Sequence, residues 1–226
     1  MQDEPQSHAQ LMDKVYRYQR YIYDFTRKYY LFGRDRLIRD LALQPGETVL
    51  EVGCGTARNL IAMARRYPGA RLYGLDASHE MLKTAQQHVA KAGLSHRIVL
   101  KHGYAEELTP ALFGRGEDFD RIVFSYSLSM IPDWHQGLNA SRRALSADGR
   151  LHVVDFGDLT GLGPAGAGLM RAWLRLFHVE PRVEILSAIE QAIGKNSCGD
   201  NRLSVLPGRY AFVLSCPGGQ LPVLLP

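Results

Sequence analysis

Apolar positions along this chain follow two rhythms in turn. Short runs of strand type alternate with longer stretches in which apolar residues recur every three or four positions, as on a helix facing a core. Strands are predicted at Thr48–Val52, Arg71–Leu75, Arg97–Lys101, Arg121–Ser125 and Gly149–Asp155. Helices are predicted over Arg58–Tyr67, ended by Pro68-Gly69, from a Ser78 cap to about Ala92, and over Trp134–Leu145 before a turn at Ser146–Gly149. This alternation implies right-handed crossovers and an α/β, doubly wound, mostly parallel sheet. Ahead of the first strand, residues 1–10 read as a disordered tail. Leu11–Leu41 reads as an N-terminal helical cap in two pieces broken near Gly33. After Asp155 come a glycine-rich loop over Gly157–Gly168, a helix around Leu169–Phe177 and a helical stretch over Val183–Ile193. A β-hairpin follows, Arg202–Leu206 and Arg209–Cys216 around Pro207-Gly208. With no internal repeat or linker, one domain is expected over residues 11–226: the cap (11–44), a ligand-binding half (45–155) and a C-terminal part (156–226).

Composition narrows this only a little. At 226 residues, 46% hydrophobic and 22% charged, the chain suits one soluble α/β domain. Cys54, Cys198 and Cys216 form neither a metal-ligand spacing nor a disulfide framework, so no metal is expected and the setting reads as reducing and cytoplasmic. No apolar run approaches the roughly 20 residues that span a bilayer. The start, Met1-Gln2-Asp3-Glu4-Pro5, does not read as a signal peptide. The net charge of +4 is unevenly placed: Lys14, Arg17, Arg20, Arg27, Lys28, Arg34, Arg36 and Arg39 crowd the cap. Nucleic acid, an anionic membrane surface or a plain solvated helix face each fit that cluster.

The chemistry concentrates at Thr48-Val49-Leu50-Glu51-Val52-Gly53-Cys54-Gly55-Thr56-Ala57 and at Asp76. Gly53 and Gly55 let the backbone turn sharply and approach a ligand, and an acid ending the second strand suits ribose hydroxyls. The third glycine of a dinucleotide fingerprint is absent, since position 58 is Arg58. Glu51 instead suits a cationic amine, such as the methionine end of S-adenosylmethionine. Ligands of open α/β sheets bind at the carboxyl ends of the strands. There Asp76 and Ala77 lie at the ribose, Met81 over the adenine, Tyr104, Ala105 and Glu106 along the adenine edge, and Ser125 to Ser127 over the methionine part.

The segments Leu50–Thr56, Leu75-Asp76-Ala77-Ser78 with Met81, Phe119–Val123 and Ala147–Leu151 resemble the class I S-adenosylmethionine-dependent methyltransferases. That resemblance implies a Rossmann-like seven-stranded sheet with an antiparallel last strand, and S-adenosylhomocysteine as product. Tyr104 departs from the acid that many relatives carry before Ala105. A narrower resemblance rests on Met12–Arg20, Ile22–Tyr30, Phe124–Trp134 and Val154–Asp158, which look like the betaine-lipid N-methyltransferases. It implies successive methylation of diacylglyceryl homoserine to a trimethylated betaine lipid, a partner enzyme that makes this homoserine lipid, and peripheral attachment to the inner membrane face. The Tyr-Asp segment at Tyr23-Asp24 is also similar to quinone-biosynthesis C-methyltransferases.

The residues can be weighed against an amine acceptor. Desolvation favours the neutral amine, so a dedicated base is optional. A quaternary ammonium product is best held by aromatic faces. Tyr16, Tyr23 and Tyr30 share a helical face, and Tyr126 lies beside the methionine site. Tyr23, Tyr30 and Tyr126 are therefore the candidates for the acceptor pocket, against the plainer reading of tyrosines packed on the sheet. His135 and His178 are weaker candidates as bases, Asp155 and Asp158 as attractors of the amine, and Asp133 as a helix cap. Leu169, Met170, Trp173, Leu174 and Phe177 share a face that packs on the core or dips into a membrane interface. Other acceptors fit the class: a quinone precursor, phosphatidylethanolamine or a soluble metabolite. A catalytically silent cofactor-binding module also fits. Nucleic acid is not expected, because Ser125-Tyr126-Ser127-Leu128 stands where an Asn-Pro-Pro-Tyr motif would.

Overall fold

The computed structural model describes residues 31–175, 182–195 and 201–218. The expected tail, the first piece of the cap with Tyr23 and Tyr30, His178 and Cys198 lie outside the described residues. A short helix α1 (Arg34–Asp40) leads to β1 (Thr48–Val52), α2 (Arg58–Arg66), β2 (Arg71–Asp76), α3 (His79–Lys91) and β3 (Ile98–His102). Then come β4 (Phe119–Ser125), α4 (Trp134–Arg143), β5 (Leu145–Phe156), α5 (Gly163–Arg175), α6 (Val183–Lys195), β6 (Arg202–Val205) and β7 (Ala211–Pro217).

The strands form one seven-stranded sheet in the order β3-β2-β1-β4-β5-β7-β6. β1 to β5 run parallel, while β7 pairs antiparallel with both β5 and β6. This is the Rossmann-like methyltransferase fold expected from the sequence. β1 is buried at every position, as a central parallel strand covered on both faces must be, which is why it reads as a near-continuous apolar run. Successive residues feed opposite cores. Val49 packs with Leu37, Leu60 and Met63 on one face, and Leu50 with Phe119, Trp134 and Ile185 on the other. The order of strands reverses between β1 and β4, which opens a crevice at their carboxyl ends.

Register is pinned by polar side chains. Asp120 accepts hydrogen bonds from the Thr48 backbone N–H and hydroxyl, both at 2.8 Å, and the Thr48 hydroxyl accepts from the Asp120 N–H. Three predictions change. The residues expected to turn at Ser146–Gly149 lie inside β5: Phe119 pairs with Leu145 and Arg121 with Arg150, so four residues stand opposite Asp120 as a bulge. Gly149 permits this, because a Cβ there would lie 2.9 Å from the Ser146 carbonyl oxygen and 3.0 Å from that of Phe119. The stretch expected as a glycine-rich loop up to Gly168 is helical from Gly163. Pro164 suits the first turn of a helix, and burial of Ala167 and Leu174 outweighs the helix cost of Gly166 and Gly168, about 1 kcal/mol each. Asp133 stands at the start of α4, but its side chain makes no capping hydrogen bond; its carbonyl accepts from the Gly137 N–H instead.

Candidate active site

The turn after β1 is held from both sides. The N–H groups of Gly53 and Cys54 donate to the Leu75 carbonyl at 2.8 and 3.0 Å, tying the turn to the end of β2. Gly53 has φ +72°, and a Cβ there would collide with the Cβ of Ser127. Both facts require glycine. Asp76 spans the turn and the next helix: one oxygen accepts from the Gly55 N–H at 2.7 Å and the other from the Ser78 N–H at 2.9 Å. Ser78 caps α3 as its sequence position predicts, accepting from the Met81 N–H at 3.3 Å.

These elements surround a cavity of about 230 Å³. Asp76, Ala77 and Met81 line it from the start of α3, with Gly53 and Gly55. Tyr104, Ala105 and Glu106 line it from the segment after β3. Tyr126, Ser127, Met130, Ile131 and Pro132 line it from the segment after β4. A smaller cavity of about 30 Å³ shares Gly53 with it and is lined by Glu51, Ser125, Arg34 and Asn59. Glu51 is 1% exposed, and its Oε1 accepts from the Asn59 amide at 2.7 Å. The Ser125 hydroxyl, buried in this cavity wall, has no hydrogen-bond partner among the described residues.

All ten residues expected at the cofactor thus line one or other of two adjoining cavities. Of the three tyrosines expected at the acceptor, only Tyr126 is among the described residues. Tyr126 lines the larger cavity but is only 2% exposed, and its ring packs edge-on against Phe156 at 4.7 Å. Its hydroxyl is committed elsewhere, donating to the Phe32 carbonyl at 2.6 Å, and burial pushes its ionisation well above the ordinary value. Asp155 does not face an amine. It is fully buried, accepts from the Ser129 and Phe156 N–H groups at 3.0 and 2.8 Å, and burial raises its pKa to about 6. Asp158 is engaged by Arg209 at 2.7 Å and by Thr160. His135 stacks on Trp134 with ring centroids 3.6 Å apart. Sequence reading missed Arg34, Ile131 and Pro132, while Asn59 and Met130 end the segments expected at the strand ends (Gly53–Asn59 and Ser125–Met130) but carried no role of their own. Asn59 had one signal, its place in the first turn after the glycine bend.

The sequence of residues 49–149 decides the family of this region. It matches the methyltransferase domain family. This methyltransferase domain is similar to the demethylmenaquinone methyltransferase of Listeria monocytogenes serotype 4a, with 34% identity over 129 residues, 57% of this chain and 52% of the relative. It is also similar to the ubiquinone/menaquinone biosynthesis C-methyltransferase UbiE of Syntrophotalea carbinolica, with 31% identity over 166 residues, 71% of this chain and 66% of the relative. The chain spans about half the length of the demethylmenaquinone methyltransferases it matches. Its fold matches that of an S-adenosylmethionine-dependent methyltransferase from Aquifex aeolicus with a TM-score of 0.59 at 17% identity, covering 89% of this chain and 95% of that one.

The methyltransferase domain fits S-adenosylmethionine as cofactor on its own geometry. Asp76 and the Gly53–Gly55 turn suit a ribose, and Ala77 and Met81 give an apolar flank for a base. Glu51, Asn59 and the unpartnered Ser125 hydroxyl suit an amino-acid end. The Cys54 thiol between them is held well above its ordinary pKa, first by burial and then by the charges of Asp76 and Glu51. A site with that negative field favours a cationic ligand.

Proposed function

We propose that the chain transfers methyl groups from S-adenosylmethionine to the amine of a lipid headgroup, diacylglyceryl homoserine, in successive rounds to a trimethylated betaine. Methyl transfer is carried by one observation: two cavities share Gly53 in their walls, one lined by Asp76 and the other by Glu51. When bound, S-adenosylmethionine supplies an electrophilic methyl group on a sulfonium. The chain's own residues orient and desolvate. Gly53 and Gly55 offer backbone at close range, Asp76 and Glu51 hold opposite ends of the ligand, and the acceptor must be aligned with the methyl group.

The wall formed by Tyr126, Met130, Ile131 and Pro132 is largely apolar. An amine entering beside it loses hydration, which favours the neutral form whose lone pair attacks. After transfer the nitrogen carries a positive charge, and it returns to its nucleophilic form by losing a proton to solvent or a passing base. The third product has no proton to lose and is best held by an aromatic face, for which Tyr126 is the one aromatic residue in this wall. The acceptor itself is favoured by the resemblance of residues 124–134, which form this wall. A second reading is C-methylation of a quinone precursor, favoured by the names of the relatives.

The test is mass spectrometry of lipid extracts after incubation with labelled S-adenosylmethionine and either diacylglyceryl homoserine or a demethylated quinol. A ladder of mono-, di- and trimethyl headgroups supports the amine acceptor. Label in the quinol ring alone moves the assignment to the second reading. Label in neither acceptor overturns both.

A further inference from the structure

Helix α5 (Gly163–Arg175) is apolar on two faces. Ala167 and Leu174 are buried in the core, and Met170 and Trp173 pack beside them. The outward side carries Pro164, Ala165, Gly168, Leu169 and Ala172, all exposed, with Leu169 exposed by 75%. The helix has no acid, and its only charges are Arg171 and Arg175. A helix that is apolar on both sides needs something against its outer face.

The surroundings continue the surface. Leu162, 36% exposed, precedes the helix, and its turn packs on the Pro207–Arg209 turn, where a Cβ on Gly161 would lie 2.8 Å from Gly208. Tyr210 follows that turn, and its ring meets Phe32 at 5.8 Å. Phe32 is 59% exposed, and its carbonyl takes the hydrogen bond from Tyr126. Exposed Leu169, Leu162 and Phe32 are thus linked through this packed turn and Tyr210, and Phe32 is hydrogen-bonded to Tyr126, a residue that lines the larger cavity.

We propose that this surface is the face by which the protein lies on an anionic bilayer. Leu169, Leu162 and Phe32 enter the boundary between headgroups and chains, and Arg171 and Arg175 meet the negative surface. Charge selects this occupant: the helix carries two exposed arginines and no acid, Arg171 also donating to the Asp158 carbonyl at 3.4 Å. The inference rests on the lipid-acceptor reading, because it places the wall of the larger cavity beside the membrane that holds the acceptor.

Flotation of the full chain with vesicles tests docking without any acceptor present. Vesicles of phosphatidylcholine with phosphatidylglycerol should carry the protein, pure phosphatidylcholine should carry far less, and rising salt should release it. Leu169→Glu should weaken partition by roughly tenfold or more, the scale of one leucine's burial. Val99→Glu, equally a surface change but on the far edge strand β3, should leave it unaltered, with thermal melts checking that both variants fold. Equal flotation of Leu169→Glu and the parent overturns the docking face. So does a dimer that Leu169→Glu dissociates when the parent fails to float, which assigns the face to a second copy. Methylation of detergent-dispersed diacylglyceryl homoserine separates the two failures: activity there without flotation removes the docking face alone, and flotation without headgroup methylation removes the acceptor assignment alone.

Discussion

Asp76 is already a hydrogen-bond acceptor twice over, with the Gly55 and Ser78 N–H groups at its two oxygens. Each carboxylate oxygen keeps acceptor capacity, so ribose hydroxyls add to an arrangement that is set beforehand. Asp76→Asn turns one acceptor into a donor facing an N–H. The expected result is S-adenosylhomocysteine binding weaker by about 10- to 100-fold, the scale of a charge-assisted hydrogen bond, read by titration calorimetry. Unchanged affinity would remove Asp76 from the ribose. That Asp76, Gly53 and Glu51 line the cavities was legible in the sequence because their placement depends on local spacing: a strand end, a bend, a strand position just before it. Arg34 and the partner of the Tyr126 hydroxyl were not, since the Phe32 carbonyl lies 94 residues from Tyr126 in the chain. Local pattern carries no information about such a meeting.

At the scale of elements, strands and crossover helices were readable from apolar rhythm, and the errors fell where tertiary contacts overrule local preference. The glycines of 163–168 speak for a loop until the packing of Ala167 and Leu174 is known, and the bulge at Ser146–Gly149 looks like a turn until Arg121 is seen to pair with Arg150. The end of α2 (Arg58–Arg66) shows a non-local cap of the same kind. Arg97, ahead of β3, donates to the carbonyls of Ala64, Tyr67 and Ala70 at 2.8, 2.7 and 2.9 Å, gathering the last turn of the helix and the bend into β2. Losing a cation from these carbonyls leaves part-buried acceptors without it. Arg97→Ala is expected to cost about 2 kcal/mol, a fall in Tm of roughly 4–8 °C for a chain of this size, measured by calorimetry. A variant melting with the parent would show that water replaces the guanidinium fully.

For the molecule as a whole, Asp155 links stability to pH. Its pKa rises from 3.8 to about 6 on burial, so between those values the folded chain keeps a proton that the unfolded chain has released. Stability from this group is therefore highest below pH 4, falls as pH rises to about 6, and is level above it. Asp155→Asn removes that fall. The stability of the variant relative to the parent should climb by about 2 kcal/mol between pH 4 and pH 6.5 in urea melts, and a flat difference would place the carboxyl at its ordinary value. The strand order carries a further consequence, for the moment of synthesis. β7 (Ala211–Pro217) sits between β5 and β6, both of which leave the ribosome before it. Until β7 emerges, the Leu151–Phe156 edge of β5 has no neighbour on that side, and an open apolar edge invites pairing between chains. A nascent chain paused before Ala211 holds a four-residue β6 with nothing to join and a sheet that cannot close.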